Sequence, residues 1–160
     1  MPQTTNMLGH PKLLAELDEA GIACTVLPHR HTETAADEAK ALDLPASEVA
    51  KTIVLTSPDG FVRAVLPASE RLDLRKVRDL LDTDEVGLAT EEQLAGAYPD
   101  FELGAVPPLG GARDPVLLDT RLASSETVLV EAGVHDASLR MKTTDLVAYT
   151  RASIADLAGD

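Results

Sequence analysis

A chain of 160 residues that is 44% hydrophobic and 26% charged holds enough apolar material for one core and has the length of one ordinary domain. A net charge of −13, from 27 acidic against 14 basic residues, excludes a generic nucleic-acid binder, which needs clustered Lys and Arg. No apolar run reaches the length of a membrane span, the first six residues carry no basic or apolar leader, and one cysteine, Cys24, leaves no internal disulfide, so the expectation is a cytoplasmic protein without a membrane partner.

Leu13, Leu14 and Leu17 follow Pro11 at helical spacing, and Gly21 stands where a helix C-cap belongs. Ile22 to Leu27 reads as a first strand. Thr34 suits the cap of a helix running to Leu42, with Asp37 at the acidic position of a capping box. Two β-branched runs, 52–56 and 61–66, flank Ser57-Pro58-Asp59-Gly60, a strong hairpin signal. Asp73 caps a helix to Leu81 whose apolar positions are Leu74, Val77, Leu80 and Leu81. Residues 86–89 form a short strand, and Thr90-Glu91-Glu92-Gln93 is a capping box for another short helix. A Gly/Pro-rich loop spans 104–111. Strands follow at 116–118 and 128–130, a helix begins at Thr143 or Thr144, and Ser153 is read as capping a last turn or two. The order predicts a single α+β domain over residues 1–160, a central mixed, partly barrel-like sheet flanked by helices.

The familiar catalytic signatures are absent: no G-x-S-x-G elbow, no Walker loop and no G-x-G-x-x-G. Cys24 falls inside a strand and reads as a small buried residue. His29 and His31 share one side of an extended segment and could meet His135, but no H-E-x-x-H or C-x-x-C supports a metal site, so no metal and no cofactor is expected. His135, just after a strand and Gly133, is a candidate for a polar role beside a substrate. Lys51 opens an apolar strand; such a lysine either binds an anion in a cleft or is an ordinary solvated strand end. In Gly104-Ala105-Val106-Pro107-Pro108, glycine lets the backbone approach a ligand and the prolines fix the shape. A preset loop of this kind can hold an oxyanion on its amides, or it can be a rigid turn.

Taken together, these pieces resemble the YbaK/prolyl-tRNA-synthetase editing family. Thr34 with Ala35-Ala36-Asp37-Glu38-Ala39 resembles the family's helix start, and Val49-Ala50-Lys51-Thr52-Ile53-Val54-Leu55 its lysine-bearing strand. Segments 64–68, 71–76 and 88–92 resemble further family segments. Residues 104–108 match its G-x-x-x-P loop, residues 115–119 its strand ending in Asp, and residues 131–133 its following turn.

The resemblance implies a free-standing deacylase, with Lys51 and Gly104 as the catalytic residues. Thr34, Lys51, Gly104, Ala105, Val106, Pro107, Pro108 and His135 would bind substrate. The implied partner is the acceptor end of mischarged tRNA(Pro), with prolyl-tRNA synthetase as a second partner, and the expected state is a monomer or homodimer. The implied reaction removes Ala or Cys by water attack on the aminoacyl ester, assisted by the substrate's ribose hydroxyl, with Lys51 either anchoring the 3′-terminal nucleotide or polarising the ester carbonyl, and with Gly104 and the loop to Pro108 holding the aminoacyl group. His29-Arg30-His31 departs from the His-Pro of many relatives. Arg71, Arg75, Lys76 and Arg78 read either as a local basic patch or as a solvated helix face. The rival readings are a non-catalytic amino-acid-sensing or synthetase-binding module using the same pocket, and a hydrolase of other small acyl esters.

Overall fold

A computed structural model describes residues 10–159. In chain order the elements are α1 (Pro11–Glu19), β1 (Cys24–Pro28), α2 (Ala35–Ala41), a single 3-10 turn (Ala46–Glu48), β2 (Ala50–Ser57), β3 (Gly60–Pro67), β4 (Arg71–Leu72) and α3 (Leu74–Leu81). Then come β5 (Gly87–Leu88), α4 (Glu91–Ala97), β6 (Val116–Asp119), α5 (Thr120–Ala123), β7 (Thr127–Glu131), β8 (Ala137–Lys142), α6 (Thr143–Thr150), β9 (Ser153–Ala155) and β10 (Ala158–Gly159). The mixed α+β architecture is the one the sequence predicts, although the sheets do not close into a barrel.

The principal sheet has the order β5-β2-β3-β6-β9. The β2–β3 hairpin turns at Ser57 and Gly60, and β6 and β9 add in parallel. The second sheet, β1-β8-β7, is antiparallel throughout. A parallel bridge between Val49 and Leu129 joins the two. β4 and β10 make a small separate ribbon.

Alternation along β2 divides the interior. Ala50 and Val54 face a large core with Leu13, Leu17, Val65, Val130, Leu139 and Leu146. Leu55 and the flanking Ile53 face a second core with Val77, Val86, Leu117 and Leu157. A third cluster, Ala35, Ala39, Val49 and Leu129, seats α2 over the join between the sheets.

The predicted N-caps are in place, although the Asp37 carboxyl returns no bond to the Thr34 amide, so α2 lacks the predicted capping box. Thr34 Oγ1 accepts from the Asp37 amide at 3.1 Å, Asp73 caps α3, and Thr90 and Gln93 form the complete capping box. Gly21, at φ +74°, ends α1 as expected.

Three segments differ from the sequence reading. Residues 153–155 form strand β9 and not a helical turn: Arg151 is left-handed at φ 56°, which reverses the chain so that Ser153 to Ala155 pair with Leu117 to Asp119. β8 was not predicted, and neither was α5, which Asp119 caps through the Arg121 amide at 2.8 Å. Asp119 is fully buried and also accepts from the Leu157 amide at 2.8 Å, so the strand-ending Asp serves the fold. Among the described residues no helix is long and apolar enough to cross a membrane.

Candidate active site

Gly104 sits on the surface at φ +85°. A Cβ there would lie 3.2 Å from His135 Cε1 and 3.5 Å from the Glu33 carbonyl oxygen, so only glycine lets these three segments meet in this way. The approach is fixed by a tight backbone lattice. The Glu102 amide donates to the Gly133 carbonyl at 2.9 Å, Ala105 to Glu102 at 3.0 Å, and Gly133 to Ala105 at 3.1 Å. The His135 amide donates to Glu102 Oε1 at 2.6 Å, and its ring Nε2 lies 2.5 Å from the Leu103 carbonyl oxygen. A carbonyl only accepts, so Nε2 is the donor in this contact.

Beyond Gly104 the loop turns inward. Ala105, Val106, Pro107, Pro108 and Leu109 are all buried. Because Ala105's amide is already bonded to Glu102, that of Gly104 is the better candidate for contact with a ligand. Thr34 is near this locus in sequence, but its hydroxyl is committed to capping α2. The His31 ring packs against that of His135 with centroids 5.1 Å apart, and its Nε2 pairs with Glu33. That pairing holds the Glu33 carboxyl below its ordinary range. The described residues contain no group of three or more His, Cys, Asp or Glu arranged to hold a metal ion.

Arg63 explains the loop's fixed shape. It lies in the middle of β3, is 1% exposed, and points into the large core. Its guanidinium donates to the carbonyls of Pro107 at 3.0 Å, Gly110 at 2.6 Å and Ala112 at 3.5 Å. It also stacks 4.6 Å over the Tyr98 ring and pairs with Asp114 at 3.5 Å. A planar five-donor fork can hold several carbonyls at once, which an ammonium cannot do with fixed geometry. Burial, reinforced by the hydrogen bond to Asp114, pushes the Tyr98 hydroxyl up to about 12.

Lys51 stands apart from this cluster. It shares the β2 face of Ile53 and Leu55, opposite to the core that receives Val106 and Leu109. The cleft that holds it measures about 430 Å³ and is lined by Ile53, Leu72, Leu74 and Leu88 with Ser69, Glu70 and Arg71. Burial lowers the ammonium's pKa and the nearby Arg71 charge lowers it further, with Glu70 acting the other way. Neither Lys51 nor Arg71 makes an ion pair among the described residues, whereas Glu70 lies 4.0 Å from Arg121. Three residues of the four-residue basic patch have partners. Lys76 is bound to Asp156 at 2.7 Å, Arg78 to the Val86 carbonyl at 3.1 Å, and the exposed Arg75 lies 3.6 Å from Asp73, while Arg71 has no ion pair among the described residues. Cys24 is partly buried, and burial pushes its thiol up, which opposes a nucleophilic role.

The structure thus brings Gly104, Ala105 and His135 together and places Lys51 in a separate cationic cleft. Sequence reasoning did not single out Arg63, Glu33 or Glu102. Arg63 carried a usable signal, a lone charge inside the apolar run Phe61-Val62-Arg63-Ala64-Val65-Leu66.

Compared with known proteins, residues 29–149 match the profile of the aminoacyl-tRNA editing domain. The chain belongs to that family. The matched span includes the Lys51 cleft, the Gly104 loop and His135. Among solved structures, this editing domain is similar to a proposed trans-editing enzyme for prolyl tRNA synthetase, at 27% identity and a TM-score of 0.81, covering 94% of this chain and 99% of that one. It is also similar to the hypothetical protein APE2540, at 25% identity and a TM-score of 0.84, covering 92% and 99%. No curated protein matches the chain.

Proposed function

We propose that this editing domain acts in trans as an aminoacyl-tRNA deacylase, removing Ala or Cys from mischarged tRNA(Pro). The observation that carries the reading is the Gly104 loop: a backbone surface preset by Arg63, open at Gly104 and closed behind by His135, inside a span that matches the editing family. An aminoacyl ester is already activated, so positioning and amide dipoles supply much of the required barrier reduction.

In this reading the Gly104 amide steadies the developing oxyanion. Water adds to the ester carbonyl, the carbonyl carbon–ribose oxygen bond breaks, and the water proton passes to the ribose oxygen with help from the neighbouring ribose hydroxyl. The products are a free amino acid and uncharged tRNA. Lys51 and Arg71 serve a different part of the substrate. Two cations against the single carboxylate of Glu70, beside Leu72, Leu74 and Leu88, suit a phosphodiester with its nucleoside, the chemistry of the single-stranded acceptor end. Recognition is local, which reconciles a net charge of −13 with an RNA substrate. The proposed discrimination of Ala and Cys from Pro rests on the size of the amino acid that the surface beside Gly104 and His135 admits. Prolyl-tRNA synthetase, the source of such mischarged species, is the proposed protein partner.

The test is deacylation of Ala-, Cys- and Pro-tRNA(Pro) by the purified chain and by Lys51→Ala. Loss of one mischarged species, weakened in the variant and sparing Pro-tRNA(Pro), supports the reading and names the substrate. No hydrolysis of any species by folded protein replaces it with a non-catalytic binding module.

A further inference from the structure

Behind the candidate site two carboxyl groups are buried against each other. Glu38, on α2, is 1% exposed, and Glu131, at the end of β7, is 9% exposed. Glu131 is the register partner of Ser138 on β8, and the Ser138 hydroxyl donates to Glu38 Oε2. Glu38 Oε1 has no hydrogen-bond partner, and Glu131 faces the same Ser138 whose hydroxyl holds Glu38, so the two carboxyls share one buried site. Among the described residues no Lys or Arg pairs with either group. The titratable groups that face them are His29, whose Nε2 lies 2.9 Å from Ser138 Oγ, and His135 on the turn after β7.

Two ionised carboxylates cannot share so dry a site without a cation in direct contact, because each would bear the full cost of desolvation and the repulsion of the other, and His29 reaches Glu38 only through the Ser138 hydroxyl. A proton on Glu131 removes both costs and gives the pair a donor. We infer that Glu131 is held as a neutral carboxylic acid whose proton is shared with Glu38, and that this shared proton makes the two glutamates positioning residues for the His135 turn.

The mechanical link is short. Glu131 leads into Ala132 and Gly133, and Gly133 is bonded to both Ala105 and Glu102. On the other side, His29 and Thr32 donate to the carbonyls of Asp136 and His135, both at 2.9 Å. Clamping α2 to the ends of β7 and β8 therefore fixes the turn that backs Gly104. Loss of the proton leaves two anions in contact and pushes α2 away from those strand ends. The positioning role rests on the deacylase reading; the shared proton does not.

Infrared spectroscopy in heavy water tests the proton directly. Ordinary carboxyls are ionised at neutral pH, so the wild-type chain is expected to show one carboxylic-acid carbonyl band that disappears in Glu131→Gln. On raising the pH through about 9, where Glu131 is pushed by burial and then by Glu38, the band fades and the His135 ring resonances shift with it. In Glu131→Gln, whose amide still donates to Glu38, those resonances stay put. Glu131→Ala lowers kcat on the mischarged tRNA by about tenfold with a smaller change in KM, a loss of about 1.4 kcal/mol, and Glu131→Gln recovers most of it.

Absence of the band at neutral pH, or its persistence in Glu131→Gln, overturns the shared proton. A band with His135 resonances indifferent to it, or equal kcat in Glu131→Ala, overturns the positioning role. If the wild type hydrolyses no aminoacyl-tRNA, the deacylase reading fails, while the infrared and resonance measurements still decide the proton.

Discussion

Replacing Arg63 with methionine keeps the side chain's length and apolar contact but removes a guanidinium that holds three loop carbonyls and pairs with Asp114. A hydrogen bond from a charged donor contributes about 1.5–3 kcal/mol, and the bonds at 2.6 and 3.0 Å are the strong ones here. Asp114 keeps the Tyr98 hydroxyl as a donor and some solvent contact, with a side chain 18% exposed, so losing Arg63 costs it less than it would cost a fully buried, unpartnered carboxylate. The expected destabilisation is about 3–5 kcal/mol, a large share of a typical domain's 5–15 kcal/mol. Arg63→Lys keeps the charge beside Asp114 but cannot span the carbonyls, and loses roughly half as much.

Urea unfolding measures these shifts. Deacylation at a temperature where each variant is fully folded measures the loop separately. There Arg63→Lys is expected to lower kcat by about tenfold through misplaced backbone. A midpoint shift worth under about 1 kcal/mol for Arg63→Met, or wild-type kcat in folded Arg63→Lys, would refute the claim that this guanidinium sets the loop.

Gly104→Ala forces a left-handed alanine against the His135 ring. It should cost about 1–2 kcal/mol of stability and most of the activity, as read by thermal melting and single-turnover deacylation. Lys51→Met should leave unfolding nearly unchanged, raise KM for aminoacyl-tRNA, and flatten the salt dependence of binding measured by filter retention. For Glu131 the folded pKa is raised from 4.5 to about 9, so its contribution to stability is fully present below about 4.5 and is lost as pH rises through about 9. Glu131→Gln should therefore become progressively more stable than wild type across that window in urea titrations; parallel pH profiles for the two proteins would contradict it.

Much of the fold was legible because its signals are local. Caps at Thr34, Asp73 and Thr90 and the turn at 57–60 are set by side chains that bond to their own neighbourhood. β8 was missed although Ala137, Leu139 and Met141 alternate with Ser138, Arg140 and Lys142, a short polar-rich run that becomes a strand only between β1 and β7. Ser153 failed as a cap for the same reason, since pairing with β6 overrides its local preference. At the site, position and face are separate facts. The apolar run after Lys51 located it at a strand mouth, but the face it occupies depends on how β2 pairs and on which core Ile53 and Leu55 enter. The burial of Glu131 was equally invisible, because α2, which folds over it, lies far earlier in the chain.

The Val49–Leu129 bridge lies between the sheet that carries the His135 turn and the sheet that carries Lys51, and a single continuous core fills behind both. The two sheets therefore stand as fixed jaws, and the gap between the Lys51 cleft and the Gly104 surface is a built-in ruler. Under the proposed chemistry, a substrate is checked for the span between its phosphate and its ester as well as for the size of its amino acid. A free aminoacyl ester engages only one jaw and forfeits the alignment that the other provides.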